Sequence, residues 1–190
     1  MRSGESVLDV GCGNARLLDA LPVGVQYTGC DTSERMITVA QNRQVLRLPN
    51  IQFVAGDILS LPFPSASFDY VFALAVLHHI PSVRLRQQAI AELTRVVKPG
   101  GHILITVWNL RSFYWMRRYW LWKLLFGLRP KGYDRGDCFV PWRRGVEKPL
   151  LRYVHAFTGY ELKSLLEQEG LIPLHQLRKR NHLIIAQRNP

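Results

Sequence analysis

The sequence predicts an α/β fold in which a mostly parallel sheet carries helices on both faces and ends in an antiparallel hairpin. Short apolar runs alternate with helical segments over residues 7–108, and this alternation is typical of a parallel sheet. The last two apolar runs are joined by a short basic turn, so these two strands must pair antiparallel.

Seven strands are predicted where short apolar runs are bounded by turn residues. The fourth run is continuously apolar, which is typical of a strand buried on both faces. The second run ends at Asp31, and Gly56 and Asp57 follow the third. The runs are residues 7–10, 26–30, 51–55, 68–74, 102–108, 171–177 and 182–187.

Four helices are predicted between these strands. The second is capped by Thr32 or Ser33 and has an acid in its first turn, where the helix dipole favours an anion. The third carries its apolar residues on one stripe, with Arg84, Arg86 and Glu92 elsewhere. The helices are residues 15–20, 33 to about 43, 83–97 and 160–170; residues 98–101 end the third.

Composition and charge bound the function. The chain has 190 residues, 47% of them hydrophobic, which predicts a single domain over residues 1–190 with a substantial core. The net charge of +11 favours a polyanion such as RNA or an anionic membrane surface, although a basic enzyme without such a partner has the same composition. The three cysteines show no C-x-x-C spacing, which argues against disulfides and a structural zinc site.

The expected setting is the reducing cytoplasm. The first six residues are polar and precede a strand, so we expect no secretory signal. Residues 113–128 form the most apolar stretch, but Arg117, Arg118 and Lys123 interrupt it, which argues against a membrane-spanning helix.

A glycine-rich turn after the first strand is the most informative feature. The turn contains Gly11 and Gly13, and Arg16 stands where a dinucleotide-binding turn has its third glycine. Asp9 lies two residues before the first glycine, and Asp31 ends the next strand. A carboxylate in the position of Asp31 suits the two hydroxyls of a ribose.

The D-x-G-x-G pattern of Asp9, Gly11 and Gly13 resembles motif I of the class I S-adenosylmethionine-dependent methyltransferases. A Rossmann-like, seven-stranded, mostly parallel sheet with a C-terminal antiparallel hairpin is that family's architecture, and the resemblance extends over nearly the whole chain. It implies S-adenosylmethionine as cofactor and S-adenosylhomocysteine as product. The family usually places helices before its first strand, which here begins at residue 7.

The resemblance implies specific cofactor contacts. The backbone at Gly11 and Gly13 passes close to the methionine part, where a Cβ would collide. Asp9 orients the turn and meets the ammonium group, directly or through water, and Asp31 accepts from the ribose hydroxyls. Each acid alone could equally be a loop residue or a helix cap, but together they end neighbouring strands, where open α/β sheets bind ligands.

Three further residues complete the implied cofactor site. Asp57 faces the adenine amino group, Ile58 packs on the ring, and the main chain at Ala73 lines the methionine moiety. His78 and His79 follow the fourth strand; because adjacent residues project in different directions, they are expected to shape the pocket or to act in catalysis rather than to bind a metal.

An insertion at about residues 109–158 is predicted to recognise the substrate. Residues 111–152 hold eleven Lys or Arg and three acids. Lysine and arginine could follow phosphates, and exposed aromatic side chains could stack on an extruded base. The aromatic residues also fall on one helical face, so they could instead pack on the domain or lie in a membrane interface. They are Trp115, Tyr119, Trp122 and Phe126.

The chain carries five further motifs, of which the first two are rarer than the general cofactor motifs. They are D-x-x-V-P-W at residues 137–142, R-Y-x-H-x-F at 152–157, V-W at 107–108, L-H-H-I at 77–80 and R-V-V-K-P-G-G at 95–101. With these motifs the chain resembles the wobble-uridine tRNA methyltransferases, which esterify the carboxylate of 5-carboxymethyluridine. The resemblance implies that Arg152, Tyr153 and His155 line the target-nucleotide pocket and are the catalytic candidates. It also implies tRNA binding and a small zinc-binding activator subunit as partner, whereas no metal site is expected in this chain.

Two alternatives stay open. The cationic aromatic stripe could lie on a membrane surface, and the enzyme would then methylate a small hydrophobic, quinone-like acceptor. The other alternative is a binding subunit that has a methyltransferase fold but no methyltransferase activity. The run Arg178, Lys179 and Arg180 is either a phosphate-binding turn or a solvated surface.

Overall fold

The computed structural model describes residues 1–43, 48, 50–110, 133–142 and 150–190. Within these ranges the strands are β1 (Ser6–Val10), β2 (Gln26–Asp31), β3 (Asn50–Ala55), β4 (Phe68–Leu74), β5 (Val97–Trp108), β6 (Asp137–Trp142), β7 (Leu150–His155), β8 (Leu171–Arg178) and β9 (Asn181–Arg188). The helices are α1 (Glu34–Gln41), α2 (Val83–Val96) and α3 (Gly159–Gln168). Two short 3-10 turns span Arg16–Ala20 and Leu77–His79.

The central sheet has seven strands in the order β3-β2-β1-β4-β5-β9-β8. Strands β1 to β5 pair in parallel, whereas β9 is antiparallel to both β5 and β8. This arrangement confirms the predicted fold class. The chain proceeds from β1 to one side of the sheet and then returns to β4 on the other side. In open α/β sheets such a reversal leaves a crevice at the carboxyl ends of the strands.

Apolar layers on both faces of the sheet hold the helices. One layer joins residues of the strands to α2 and α3, and includes Leu8, Ile90 and Leu162, each fully buried. The other lies beneath α1 and the first 3-10 turn, and includes Leu18 and Ala40. The predicted placement of helices on both faces is therefore confirmed.

Side-chain caps fix where two helices begin. The hydroxyl of Ser33 accepts from the backbone N–H of Met36 at 3.3 Å, so Ser33 rather than Thr32 caps α1. At α3, the hydroxyl of Thr158 and the carboxylate of Glu161 each accept a backbone N–H of the other residue, which is a capping box.

Two element predictions are corrected. The segment after the glycine turn is a 3-10 turn rather than an α-helix, and it follows Ala15 in the left-handed conformation. Strand β5 begins at Val97, not at residue 102, so the segment that ends α2 already belongs to the sheet. The Arg188 guanidinium donates to the carbonyls of Thr94, Arg95 and Val97 and thereby ties this helix end to β9.

A second, two-stranded sheet lies in the predicted insertion. Strands β6 and β7 pair antiparallel, with Asp137 opposite His155 and Val140 opposite Arg152. Strand β6 carries the D-x-x-V-P-W motif and β7 carries most of the R-Y-x-H-x-F motif, although the sequence predicted no strand there. The aromatic stripe from Trp115 to Phe126 lies outside the described residues. Within the described ranges, no helix is both long enough and apolar enough to cross a bilayer.

Candidate active site

A cavity of about 250 Å³ opens at the carboxyl ends of β1, β2 and β4. This is the edge at which the sequence predicted the cofactor. It is closed on one side by the turn after β4 and by β7 of the second sheet. Its lining residues are Val10, Gly11, Asp31, Thr32, Gly56, Ile58, Ala75, Val76, His79 and Arg152.

The glycine turn comes close to the loop that follows β4. Gly11 has φ +69°, and a Cβ there would overlap the side chain of Val76. Gly13 also has positive φ, but the nearest atom to its Cβ position is the Met36 methyl carbon at 3.8 Å. The N–H groups of Gly11 and Cys12 both donate to the Cys30 carbonyl, which holds the turn against β2. Gly11 therefore lets the turn lie directly against Val76, in a position where any side chain would collide with it.

Asp31 is held in place by backbone donors. Its Oδ2 accepts from the N–H of Gly13 and its Oδ1 from the N–H of Ser33, both at 2.9 Å. A carboxylate oxygen has two lone pairs, so each oxygen retains one acceptor site after these bonds. The structure thus brings Asp31 to the cavity wall in a fixed orientation, with capacity for two hydroxyl donors.

Asp9 lies beneath the turn and does not line the cavity. Its carboxylate is 3% exposed and accepts a hydrogen bond of 2.9 Å from the Tyr27 hydroxyl. Burial raises the pKa of Asp9 to about 7, against the lowering effect of this hydrogen bond, and the charge of Asp31 adds to the increase. The sequence predicted that Asp9 meets the ammonium group of the cofactor either directly or through water. A carboxylate this deeply buried does not fit the direct contact.

The other three predicted cofactor residues are placed differently from one another. Ile58 lines the cavity. Asp57 is exposed, and its Oδ1 accepts from the N–H of Leu59 at 2.9 Å in a tight turn. Ala73 is fully buried and paired within the sheet, and Ala75, two residues later, lines the cavity. Ala75 has φ +60°, and its N–H donates to the Thr106 carbonyl at 2.9 Å.

Arg152 and His79 form the other side of the cavity. Arg152 is half-buried on β7, and burial lowers its pKa. The Nδ1 of His79 lies 3.1 Å from the Tyr153 carbonyl, which can only accept, so Nδ1 carries the proton and Nε2 is an acceptor. Burial lowers the pKa of His79 to about 4, and the charge of Arg152 contributes. The site therefore presents a guanidinium beside a neutral imidazole.

His78 points into the protein rather than into the cavity. Its Nδ1 accepts from the N–H of Trp108 at 3.4 Å, and its ring lies 4.7 Å from the Trp108 ring. Its Nε2 has no hydrogen-bond partner among the described residues. Burial lowers the pKa of His78 to about 2, so the ring is neutral and packs behind His79.

Tyr153, which is half-buried, and His155, which is buried, belong to a hydrogen-bonded network and are not among the residues that line this cavity. The Tyr153 hydroxyl donates to Asp137 Oδ1 at 2.6 Å. His155 is fully buried, with Nδ1 2.6 Å from the same oxygen and Nε2 2.7 Å from Glu161 Oε1. Each ring nitrogen of His155 therefore has a carboxylate partner. Arg152 alone of the three lines the cavity.

Arg86 completes this network, so its predicted place away from the apolar stripe of α2 is wrong. The side chain is 1% exposed and donates to Asp134 at 2.8 Å and to the Tyr153 hydroxyl at 3.3 Å. The nitrogen that donates to Tyr153 also lies 3.7 Å from Asp137 Oδ1. The signal was present in the spacing, because Arg86 lies three residues before Ala89 and so shares its helix face. We call the set Arg86, Asp134, Asp137, Tyr153, His155 and Glu161 the hairpin network.

The comparisons with known proteins agree with this fold. A family model described as a methyltransferase domain matches residues 8–105. A tRNA (carboxymethyluridine(34)-5-O)-methyltransferase of Arabidopsis thaliana is 39% identical over 106 residues, covering 56% of this chain and 24% of the relative. The enzyme of the same description in Schizosaccharomyces pombe is 29% identical over 206 aligned positions, covering 98% of this chain and 82% of the relative. The chain spans less than a third of the length of several other curated relatives.

Solved structures show the same architecture. A SAM-dependent methyltransferase from Methanosarcina mazei superposes with a TM-score of 0.78 at 23% identity, covering 100% of this chain and 94% of the other. A methyltransferase in complex with the Trm112 methyltransferase activator of Haloferax volcanii has a TM-score of 0.69 at 17% identity, covering 100% and 85%. Since the family model covers just over half of its length, the chain belongs to the methyltransferase domain family and has the fold of the SAM-dependent methyltransferases.

Proposed function

We propose that this chain is a methyltransferase that uses S-adenosylmethionine to esterify a carboxylate on a modified wobble uridine of tRNA. The observation that carries the proposal is that Asp31 and Arg152 line the same cavity. Asp31 can accept two hydroxyl donors, as a ribose requires, and Arg152 can bind a carboxylate through two parallel hydrogen bonds.

The cavity fits the cofactor on its β1–β2 side. Gly11 lines the cavity with bare backbone packed against Val76, Asp31 retains acceptor capacity, and Ile58 offers an apolar surface for a flat ring. When bound, the cofactor supplies an activated methyl group on a sulfonium, and its transfer to an ionised oxygen turns a cation and an anion into two neutral groups. We infer that Gly11, Asp31 and Ile58 hold it, with Asp9 fixing the turn from beneath.

The Arg152 side fits an anionic acceptor. A carboxylate is ionised above about pH 5 and needs no general base to react. The guanidinium of Arg152 would orient it, and the neutral His79 would accept a hydrogen bond from the nucleoside without removing a proton. Relatives described as carboxymethyluridine methyltransferases, one of them aligned over 98% of this chain, support this acceptor. No feature of the described residues favours a quinone-like acceptor.

Substitutions on the two sides of the cavity test the proposal. Arg152→Ala should lower methyl transfer to tRNA carrying 5-carboxymethyluridine roughly 100-fold or more, with cofactor affinity nearly unchanged, because a buried partner of the carboxylate is lost. Arg152→Lys keeps the charge without the two-pronged geometry and should recover part of the activity. Asp31→Asn should instead weaken cofactor binding first. Calorimetry measures cofactor affinity, and nucleoside mass spectrometry measures methyl transfer. If the wild type does not modify this tRNA even when the activator subunit is present, the proposal is wrong.

The pH profile distinguishes a carboxylate acceptor from an amine or a carbon acid. Because the acceptor is already ionised and His79 is neutral, the single-turnover rate should stay level between about pH 6 and 8.5. An acceptor that must lose a proton would give a rate that rises with pH over this range.

We also propose that a small zinc-binding activator subunit binds this chain. The Haloferax volcanii complex, in which a methyltransferase of the same fold carries the Trm112 activator, supports this partner. Co-purification of the two chains, together with a rise in methyl transfer when the activator is added, would be the expected result. Full activity of the isolated chain, with no complex on gel filtration, would contradict it.

A further inference from the structure

The turn between β8 and β9 lies at the same sheet edge as the cavity. Asn181, the first residue of β9, pairs with Trp108, the last residue of the parallel strand β5. The N–H of Asn109 donates to the Arg180 carbonyl at 3.1 Å, and its side-chain amide donates to the Lys179 carbonyl at 3.0 Å. These bonds fix the basic turn to the carboxyl end of β5.

The turn lies close enough to the cavity for one ligand to contact both. In the sheet order, β5 and β9 separate β8 from β4, whose following loop lines the cavity. At the usual spacing of neighbouring strands, the turn lies about 10–15 Å along the edge from β4. A nucleic acid chain with one nucleotide in the cavity would reach the turn within a few residues.

An exposed aromatic side chain stands beside the basic turn. Tyr160, in the first turn of α3, is 78% exposed. Its neighbour Gly159 lies under the Arg178 side chain, since a Cβ at Gly159 would be 2.6 Å from Arg178 Nε. The acid of this helix turn, Glu161, is paired with His155 in the hairpin network. A ring and the cations next to it thus share one exposed surface.

We propose that Tyr160 and the turn of Arg178, Lys179 and Arg180 form an RNA-binding surface that holds the anticodon loop outside the cavity. Lysine and arginine on a fixed turn contact phosphates, and a flat exposed ring stacks on an unpaired base, which is how proteins bind single-stranded loops. The inference rests on the proposed tRNA acceptor and extends it, because it assigns the RNA backbone to residues that take no part in methyl transfer.

Salt-dependent binding of tRNA tests the surface. Lys179→Gln should weaken binding several-fold and reduce the slope of log K against log salt by about 0.7–0.9, the value for one lost phosphate contact. Tyr160→Ala should weaken binding roughly 5- to 150-fold at an unchanged slope, whereas Tyr160→Phe keeps the ring and should bind like the wild type. Lys98→Gln is the control for a lost lysine charge elsewhere, because Lys98, which is paired with Asp69 at 2.8 Å, lies near the amino end of β5, at the opposite edge of the sheet.

The probe is tRNA carrying 5-carboxymethyluridine, followed by fluorescence anisotropy, with calorimetry of cofactor binding as the check of folding. If the wild type methylates this tRNA but Lys179→Gln and Tyr160→Ala bind it as the wild type does, the surface is wrong and the proposed function stands. If the wild type binds cofactor but neither binds nor methylates tRNA, both fail. If the variants lose binding to anionic vesicles and keep tRNA affinity, the surface belongs to a membrane and the inference is overturned.

Discussion

The two sides of the cavity are built in different ways. On the β1–β2 side, Asp31 is held by backbone N–H groups of Gly13 and Ser33, all within one strand–turn–strand segment. On the β7 side, Arg152 sits on a hairpin fixed by side chains of α2, α3 and both its strands. The first side uses local backbone donors, and the second uses long-range contacts between charged groups.

This difference determines how each side responds to change. A backbone donor survives any substitution that keeps the local conformation, so the β1–β2 side is sensitive to glycine positions. The hairpin network holds buried charges that are stable only while they remain paired. Loss of one partner there leaves another charge uncompensated, which costs more than the contact itself contributes.

The largest expected effect is the loss of Asp137. Asp137→Ala should lower the free energy of unfolding by about 3–5 kcal/mol, because Tyr153 and the buried His155 lose the carboxylate that both contact at 2.6 Å, and Arg86 keeps Asp134 as its one carboxylate partner among the described residues. Asp134→Ala is the matched control: Asp134 also contacts Arg86, but its side chain is 34% exposed, so we expect a loss of about 1 kcal/mol. Urea unfolding measures both. Equal losses would show that burial of the network has no special role.

The same network predicts loss of stability in acid. Although burial alone would raise it, the pKa of Asp137 is lowered by hydrogen bonds from Tyr153 and His155. A lowered carboxyl pKa adds stability above the ordinary pKa near 4 and loses it as the pH falls through the lower, folded-state value. The urea concentration at the unfolding midpoint of the wild type should therefore decrease as the pH drops below about 4, and that of Asp137→Ala should decrease less.

The sequence could predict the β1–β2 side of the cavity but not the contacts that hold the β7 side. Gly11 and Asp31 lie close together in the chain at the ends of adjacent strands, so their convergence follows from the strand pattern alone. The carboxylates that face the buried Arg86 are Asp134 and Asp137, which lie about fifty residues away, beside or on a strand that no apolar alternation revealed. The place of Ala75 in the cavity wall was not predicted, because its left-handed conformation carries no signature in its residue type.

Glycine substitutions test the β1–β2 side directly. Gly11→Ala should weaken cofactor binding about 100-fold or more, since both the positive φ and the overlap with Val76 oppose a Cβ. Gly13→Ala shares the positive φ but has open space, so its strain of about 1 kcal/mol should cost only a few-fold in affinity. Calorimetry with S-adenosylhomocysteine measures the pair. Comparable losses would mean that backbone conformation, rather than close approach, limits binding.

Asp9 is expected to make the fold less stable at neutral pH. Its pKa of about 7 in the folded protein lies above the ordinary 3.8, so this carboxyl lowers stability as the pH rises from about 4 to 7. Asp9→Asn removes that penalty but weakens the acceptor of the Tyr27 hydroxyl, for a net gain of about 2 kcal/mol at pH 8. Urea unfolding should show little difference between the two proteins near pH 4. A variant that is less stable at pH 8 would contradict the raised pKa.

The smallest expected effect concerns Ala75, which lies between the two sides. Ala75 and Ala66 both adopt a left-handed conformation, at φ +60° and +55°, but only Ala75 lines the cavity. Glycine relieves strain at either position, so Ala75→Gly and Ala66→Gly should each raise stability by about 0.5–1 kcal/mol. Any loss of cofactor affinity confined to Ala75→Gly, which we expect to be two- to threefold, then comes from a less rigid wall rather than from the fold. Equal affinity in both variants would mean that the strain at Ala75 serves the turn after β4 and not the site.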